Sequence, residues 1–284
     1  VSGGAGLQEW LERAVEAIGV AVQLASTEIN DADNVQGRIA AASVLTGALE
    51  PVANGRALAL LKNVLTVSED EPAALSLSAW CHAQRVVYNW SGNSDQDRLE
   101  AKRYASAATL SGINDPKCLT VIATARMLVG NHNGAETLLE RSLRLDRYEP
   151  VSLVRRGWLA NYLENARDAT RHFRAAIRLA PLHPAMFNAL TGLGVSHFIE
   201  GDHSQAIRRM EQALALNPKA IWIHRNLAPA YMAAHETQKA EGSVASLLES
   251  HPHLTVAEVT DAMVFSRPVM AKIAEGLRGA GLPL

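Results

Sequence analysis

Leu190-Thr-Gly-Leu193-Gly194-Val-Ser-His197, followed by Ala206-x3-Met210-x2-Ala213 and then Pro218, is the stretch that decides how this chain folds. The same arrangement returns as His224-x2-Leu227-Ala228-x2-Tyr231, Ala240-x3-Val244 and Pro252, 34 residues further on. Apolar residues at i, i+4 and i+7 mark one face of an α-helix. Each block therefore reads as two helices. The first offers a large residue beside a small one, and the second answers with an alanine. Gly194 and Ala228 leave room for a second helix to cross closely, and Ala206 and Ala240 do so from the other side. Pro218 and Pro252 lack the backbone N–H that would continue a helix, so they separate one unit from the next.

Working outward, the alanine recurs at Ala101, Ala135, Ala169, Ala206 and Ala240, in steps of 34, 34, 37 and 34. Four residues later stand Ala105, Leu139, Phe173, Met210 and Val244; seven later stand Ala108, Ser142, Ala176, Ala213 and Leu247. Ala57, Leu61 and Val64 repeat the spacing 44 residues before the Ala101 set. The longer step predicts an enlarged polar loop over Asn89–Asp97. The 37-residue step fits extra residues at Leu182-His183-Pro184.

This pattern resembles the tetratricopeptide repeat, whose unit is a helix pair that cannot bury its apolar face without neighbours. The expected fold is all-α: a right-handed superhelical solenoid of five to six helix pairs with N- and C-terminal helical caps. Residues 1–32 read as a lead-in and capping helix (about 7–26), 33–254 as the repeat array, and 255–284 as a closing segment with a helix at about 267–279. Ser250 and Thr255 stand where apolar residues are common in such repeats. Val1 in place of Met reads as a fragment, a processed product or a non-standard start codon.

The 284 residues carry 27 basic and 29 acidic side chains, a formal net charge of −2. That balance removes the electrostatic case for nucleic acid or an anionic membrane as partner. Neither a signal peptide nor 18 consecutive apolar residues can be found. Cys81 and Cys118 form neither a disulfide framework nor a zinc motif. A cytoplasmic setting follows as the expectation. Aromatics are only 5% of the chain, as close helix packing through alanine would require.

The inner surface of such an array, lined by first helices, is where a protein or peptide partner is expected. By register, candidates are Arg155, Trp158, Tyr162, Phe198, Trp222, Arg225, Asn226 and Met232. Arginine and asparagine beside aromatics suit a peptide bearing a carboxylate or free backbone groups. The alternative is that the tryptophans pack between repeats and the arginines are solvated. Trp80–Trp90, the densest aromatic stretch, reads as a bulky helix filling space beside the enlarged loop, or else as a partner-binding edge.

Chemistry-bearing motifs are missing: no GxxxxGK[ST], HExxH or GxSxG occurs. Gly192-Leu-Gly194 is half a dinucleotide fingerprint, with His197 where glycine is needed. Asp31-Ala-Asp33-Asn34 opens like a calcium loop and then fails at Val35 and Gln36. The ten histidines lack companions at ligand spacing. No catalytic residue, cofactor or metal is expected, and an enzyme with an unrecognised site is the remote alternative.

Two segments carry a narrower resemblance. Ser78-Ala-Trp-Cys-His-Ala-Gln-Arg-Val-Val-Tyr-Asn-Trp90 and Glu275-Gly-Leu-Arg-Gly-Ala-Gly-Leu-Pro-Leu284 are similar to segments in the C-terminal repeat regions of bacterial class III adenylate/guanylate cyclases. They are also similar to segments of winged-helix transcriptional regulators. The resemblance implies a regulatory module beside an output domain, cyclase-linked or, alternatively, DNA-binding. Neither cyclase aspartates nor a basic recognition helix occurs in these residues, so no catalytic role is implied for any of them.

Overall fold

The computed structural model describes residues 34–284. The lead-in, the helix expected at about 7–26, Asp31 and Asp33 lie outside the described residues. Asn34 itself caps the first described helix, accepting from the Gly37 amide at 2.6 Å.

Twelve helices form six antiparallel pairs. They are α1 (Val35–Gly47) with α2 (Pro51–Val67), α3 (Pro72–Val87) with α4 (Ser94–Leu110), and α5 (Pro116–Leu128) with α6 (His132–Leu145). Then come α7 (Pro150–Tyr162) with α8 (Ala166–Leu179), α9 (Met186–Glu200) with α10 (His203–Leu216), and α11 (His224–Ala233) with α12 (Thr237–Ser250). A 3₁₀ turn, Ile221–Ile223, leads into α11. The short α13 (Val256–Ala262) and α14 (Arg267–Gly279) follow. No strand occurs among the described residues. The architecture is the all-helical repeat solenoid that the 34-residue period implies.

The sequence places the ends of these helices. Pro72, Pro116 and Pro150 open first helices, where a missing N–H costs nothing. Asp115, Asn131 and Asp202 cap by accepting the amides of Cys118 (2.7 Å), Gly134 (3.0 Å) and Gln205 (3.1 Å). The turn inside a pair puts one residue in the left-handed region at equivalent positions: Gly130, Glu164, Gly201 and His235. Glycine adopts that conformation freely, whereas Glu164 and His235 hold it with a side chain.

Every residue of the alanine-based columns, from Ala57, Leu61 and Val64 onward, is buried. Phe173 shows how closely the helices approach. Its ring lies between Gly157 of α7 and Gly192 of α9, and a methyl group on either glycine would collide with it. At Gly194 the neighbours of such a methyl would be Met210 Cγ at 2.6 Å and the Ala206 carbonyl at 2.9 Å. Glycine here serves distance between helices, not backbone freedom.

The enlarged loop is smaller than the sequence suggests. Only residues 88–93 connect α3 and α4, and Ser94–Asp97 are the first turn of α4. The rest of the longer step is absorbed by helix: α3 has 16 residues where α5 has 13, and Ala101 stands eighth in α4 where Ala135 stands fourth in α6. Asp97 folds the loop back by accepting from Ser91 Oγ, His82 Nδ1 (2.6 Å) and Arg85 Nε (3.0 Å). A polar string can thus be helical when its acid is pinned from outside. Leu182-His183-Pro184 does lie in a linker, 180–185, which is longer than the 146–149 linker before α7.

The C-terminal end turns inward. Thr255 and Glu258 form a reciprocal capping box that starts α13, so a threonine where repeats favour an apolar residue begins a helix here. Arg98 then holds Asp261 at 2.7 Å, and Asn89 Nδ2 donates to the Glu258 carbonyl at 3.0 Å. The chain between α13 and α14 runs extended from Met263 (φ −84°, ψ 153°) to Ser266 (φ −57°, ψ 154°). α14 packs on α11, with Gly276 against Pro229.

Candidate functional site

Six of the eight residues expected on the inner face converge on one place. Arg155, Trp158, Tyr162, Trp222, Arg225 and Asn226 surround a cavity of about 30 Å³, together with Tyr88, Asn188 and Met263-Val264-Phe265. Those six side chains are only 3–8% exposed. The other two lie elsewhere. Phe198 is buried against its own pair, its ring 5.9 Å from that of His203. Met232 is half-buried, with its methyl group at Gly279 of α14. Register alone assigned both to the inner face; the end of α9 in fact turns Phe198 towards α10, and α14 covers Met232.

The aromatics form two clusters, one around Tyr88 and Trp222 and one around Trp158, Tyr162 and Phe265. Tyr88 and Trp222 have ring centroids 5.0 Å apart, Trp158 and Tyr162 5.8 Å, and Phe265 meets Tyr162 edge-on at 4.9 Å. Each arginine lies over a ring: the Arg155 guanidinium is 4.9 Å from the Trp80 ring and that of Arg225 is 5.5 Å from Tyr88. Trp80–Trp90 is therefore packing for the inner face, and it joins the second pair to the turn before α11.

Both arginines are tied to the frame, Arg155 through Nη1 and Arg225 through Nη1 and Nε. Arg155 Nη1 donates to Asn188 Oδ1 at 3.1 Å, an oxygen that also accepts from Trp158 Nε1 at 2.8 Å. Arg225 donates through Nη1 to the Val87 carbonyl and to Asn89 Oδ1 (3.1 Å), and through Nε to the Trp222 carbonyl (3.3 Å). Neither forms an ion pair among the described residues. Burial pushes both guanidinium pKa values down, that of Arg225 to about 10, with Tyr88 and Tyr162 acting in the opposite direction. Burial raises the Tyr88 and Tyr162 hydroxyls, with the two arginines acting in the opposite direction.

Sequence reasoning missed Asn188 and the Met263-Val264-Phe265 segment. Asn188 stands 34 residues before Trp222, one period and hence on the same face, so the repeat itself was the available signal. The 263–265 segment left no comparable signal. It is apolar, follows the last repeat, and crosses the inner face because α13 and Ser266 anchor it; Ser266 Oγ donates to Glu164 Oε2 at 2.8 Å.

A second hollow of about 620 Å³ is open, between Asn89, Ser91 and Ser94 on one side and His251, His253, Leu254, Glu258 and Asp261 on the other. No group of three metal-ligating side chains lies together among the described residues. No helix among them is long and apolar enough to cross a membrane.

Helix pairs at a 34-residue period around a side-chain-lined inner face define an all-helical repeat solenoid. Residues 197–260 match the family model described as tetratricopeptide repeat. No curated protein matches in sequence. Among solved structures, the APC/C hetero-tetramer Cut9-Hcn1 is similar at 16% identity and TM-score 0.60, over 85% of this chain and 46% of that one. TTC0263, a thermophilic TPR protein of Thermus thermophilus, aligns at 16% identity and TM-score 0.52, over 70% of this chain and all of that one (100%). The human IFIT1 dimer with m7Gppp-AAAA aligns at 17% identity and TM-score 0.53, over 69% of this chain and 45% of that one. This chain thus spans less than half the length of the Cut9-Hcn1 and IFIT1 chains, and at these identities the likeness is one of fold.

Proposed function

We propose that the chain is a non-catalytic protein-interaction module, the regulatory repeat region of a bacterial signalling protein linked to a cyclase. Its partner is a peptide segment held on the inner face by Arg155, Trp158, Tyr162, Trp222, Arg225 and Asn226. The observation that carries the reading is the extended backbone of Met263–Ser266 lying across that face. An inner face that holds an extended segment of its own chain has the shape and the aromatic surface for another, once its own is lifted. The strand-like segment needs no ordering cost while it stays in place, so a partner competes with it. The RNA of the IFIT1 structure is not carried over, since the formal charge here is −2.

The test is affinity capture followed by identification of the bound proteins, with three versions of the full chain. Phe265→Ser loosens the covering segment at Tyr162 and is expected to increase capture several-fold. Asn226→Ala combined with Phe265→Ser is expected to return it to background. Capture indifferent to both changes would place the partner elsewhere on the solenoid. A captured set without any signalling protein would remove the cyclase linkage.

A further inference from the structure

We infer that the outer face of α8 is a docking surface for an acidic helix, a protein segment that presents one row of carboxylates to Arg167, Arg171, Arg174 and Arg178. The surface is separate from the inner face, and the two readings can fail independently.

The row is set by spacing. Positions 167, 171, 174 and 178 are i, i+4, i+7 and i+11, a single stripe about 16 Å long at a rise of about 1.5 Å per residue. The opposite stripe of α8 is Ala169, Phe173 and Ala176, which is buried in the array. The arginines therefore stand outward, and all four are exposed. The formal charge of −2 is an average over the chain and conceals this: α8 carries four arginines against one acid, Asp168. Counted from the repeat alanine, no other second helix has more than one basic residue at these four positions. The row is thus a property of α8 and not of the repeat.

The row works against the helix that carries it. Like charges three or four residues apart destabilise a helix, and 167/171, 171/174 and 174/178 are all such neighbours. Arg167 also stands in the first turn, where the helix dipole favours an anion. Asp168 relieves Arg171 by accepting from it. Arg167, Arg174 and Arg178 have no ion pair among the described residues. A surface helix selected for stability alone alternates its signs; here the repulsion is relieved by acid brought from outside.

The borders of the row select the shape of what brings it. At the place of Arg174, the neighbouring second helices hold Glu140 on α6 and Glu211 on α10, both exposed. A bilayer surface or a nucleic-acid duplex is wider than one helix and would meet these carboxylates with its phosphates, a repulsive contact that discriminates against both. The row itself offers no aromatic ring on which a single-stranded base could stack. A helix about 10–12 Å across, with Asp or Glu at the same four positions, fits between the borders. Its carboxylates match the planar guanidinium forks. The steps of four, three and four read the same in both directions, so such a helix pairs with the row parallel or antiparallel.

The experiment titrates the full chain into a labelled synthetic helical peptide, rich in alanine, with glutamates at i, i+4, i+7 and i+11. The control peptide carries the same four glutamates distributed round the helix, and fluorescence anisotropy is the readout. The row peptide is expected to bind saturably and several-fold tighter than the control, with affinity falling as salt rises beyond about 0.1 M. Arg174→Gln combined with Arg178→Gln is expected to weaken it about five- to tenfold, the sum of two exposed charge pairs. Arg174→Glu combined with Arg178→Glu is expected to transfer preference to a peptide with lysines at the two matching positions. Because the row repels itself, the unfolding temperature of the glutamine variant is expected at or above that of wild type.

Equal affinity for the row and control peptides, or binding unchanged in the variants, overturns the docking surface. A fall of several degrees in unfolding temperature makes the row a stabilising feature instead. Vesicles of phosphatidylcholine and phosphatidylserine, or duplex DNA, binding more tightly than the row peptide overturn the choice of occupant. So does salt-sensitive self-association of the chain that the variants abolish, which assigns the surface to a second copy. Capture at the inner face is expected to be unchanged in all these variants, so its loss would show that the two surfaces are not separate.

Discussion

At the scale of single residues, the array depends on where side chains are absent as much as on where they are present. Phe173 fills a slot that exists because residues 157 and 192 are glycines. Gly192→Ala should therefore destabilise the chain by about 1–3 kcal/mol, the usual range for overpacking. Phe173→Leu introduced together with it should recover part of that loss, because the smaller side chain vacates the space the new methyl needs. Urea denaturation of the two single variants and the double variant measures the coupling, expected at about 0.5–3 kcal/mol for residues in contact. Strict additivity would show that ring and glycine do not in fact meet. The left-handed Glu164 makes the opposite point: a side chain is kept in an unfavourable conformation where its carboxylate accepts from Ser266 and fixes the inward turn of the chain.

At the scale of elements, the connection between α3 and α4 is organised by one carboxylate. Burial works to raise the pKa of Asp97, but the hydrogen bonds from Ser91, His82 and Arg85 outweigh it and hold the carboxyl below its ordinary range. A lowered folded pKa means that the contribution is present above the unfolded-state value, about 4. It is lost as pH falls through the lowered folded value. Asp97→Asn should cost about 2–3 kcal/mol at pH 7, from hydrogen bonds to a charged group and from the unpaired donors left behind. The deficit relative to wild type should begin to shrink below about pH 4, where the carboxyl of the unfolded wild-type chain takes up a proton, and should go on shrinking as pH falls through the lowered folded value. Denaturation at pH 7 and pH 3 distinguishes this from a packing defect, which would give the same deficit at both. The loop was legible in sequence as polar and long; its helical part was not, because the group that pins it, Arg85 with His82, belongs to the preceding helix.

At the scale of the whole molecule, the last helix is docked onto the array through a single close crossing. A Cβ at Gly276 would stand 2.5 Å from Pro229 Cα, which is backbone and cannot move aside as a side chain would. Gly276→Val is expected to detach α14 while the six helix pairs persist. Trypsin should then cut at Lys272 and Arg278 much faster than in wild type, with little loss of far-UV helicity. Unchanged proteolysis would mean that α14 is held by other contacts. Other long-range contacts hold the array's own parts together: Arg225 reaches the Val87 carbonyl, and Lys219 lies 3.7 Å from Glu50. These bring the turn before the sixth pair onto the first and second, and so enclose the inner face.

By itself, the sequence determined the repeat. A 34-residue recurrence of alanine with apolar residues four and seven positions later leaves one solution, stacked helix pairs, because each pair must bury the same stripe against its neighbours. It also determined which face six of the inner residues share, since register within a repeat is a local property. Tertiary structure decided what that face encloses. Whether Arg225 is solvated or buried depends on how far successive pairs rotate, a small angle summed over the array, and on where 263–265 comes to rest. Those are contacts between residues 136 to 169 positions apart, and a period of 34 carries no information about them. The two buried guanidinium groups are ordinary arginines in the sequence and become a site only when the solenoid closes around them.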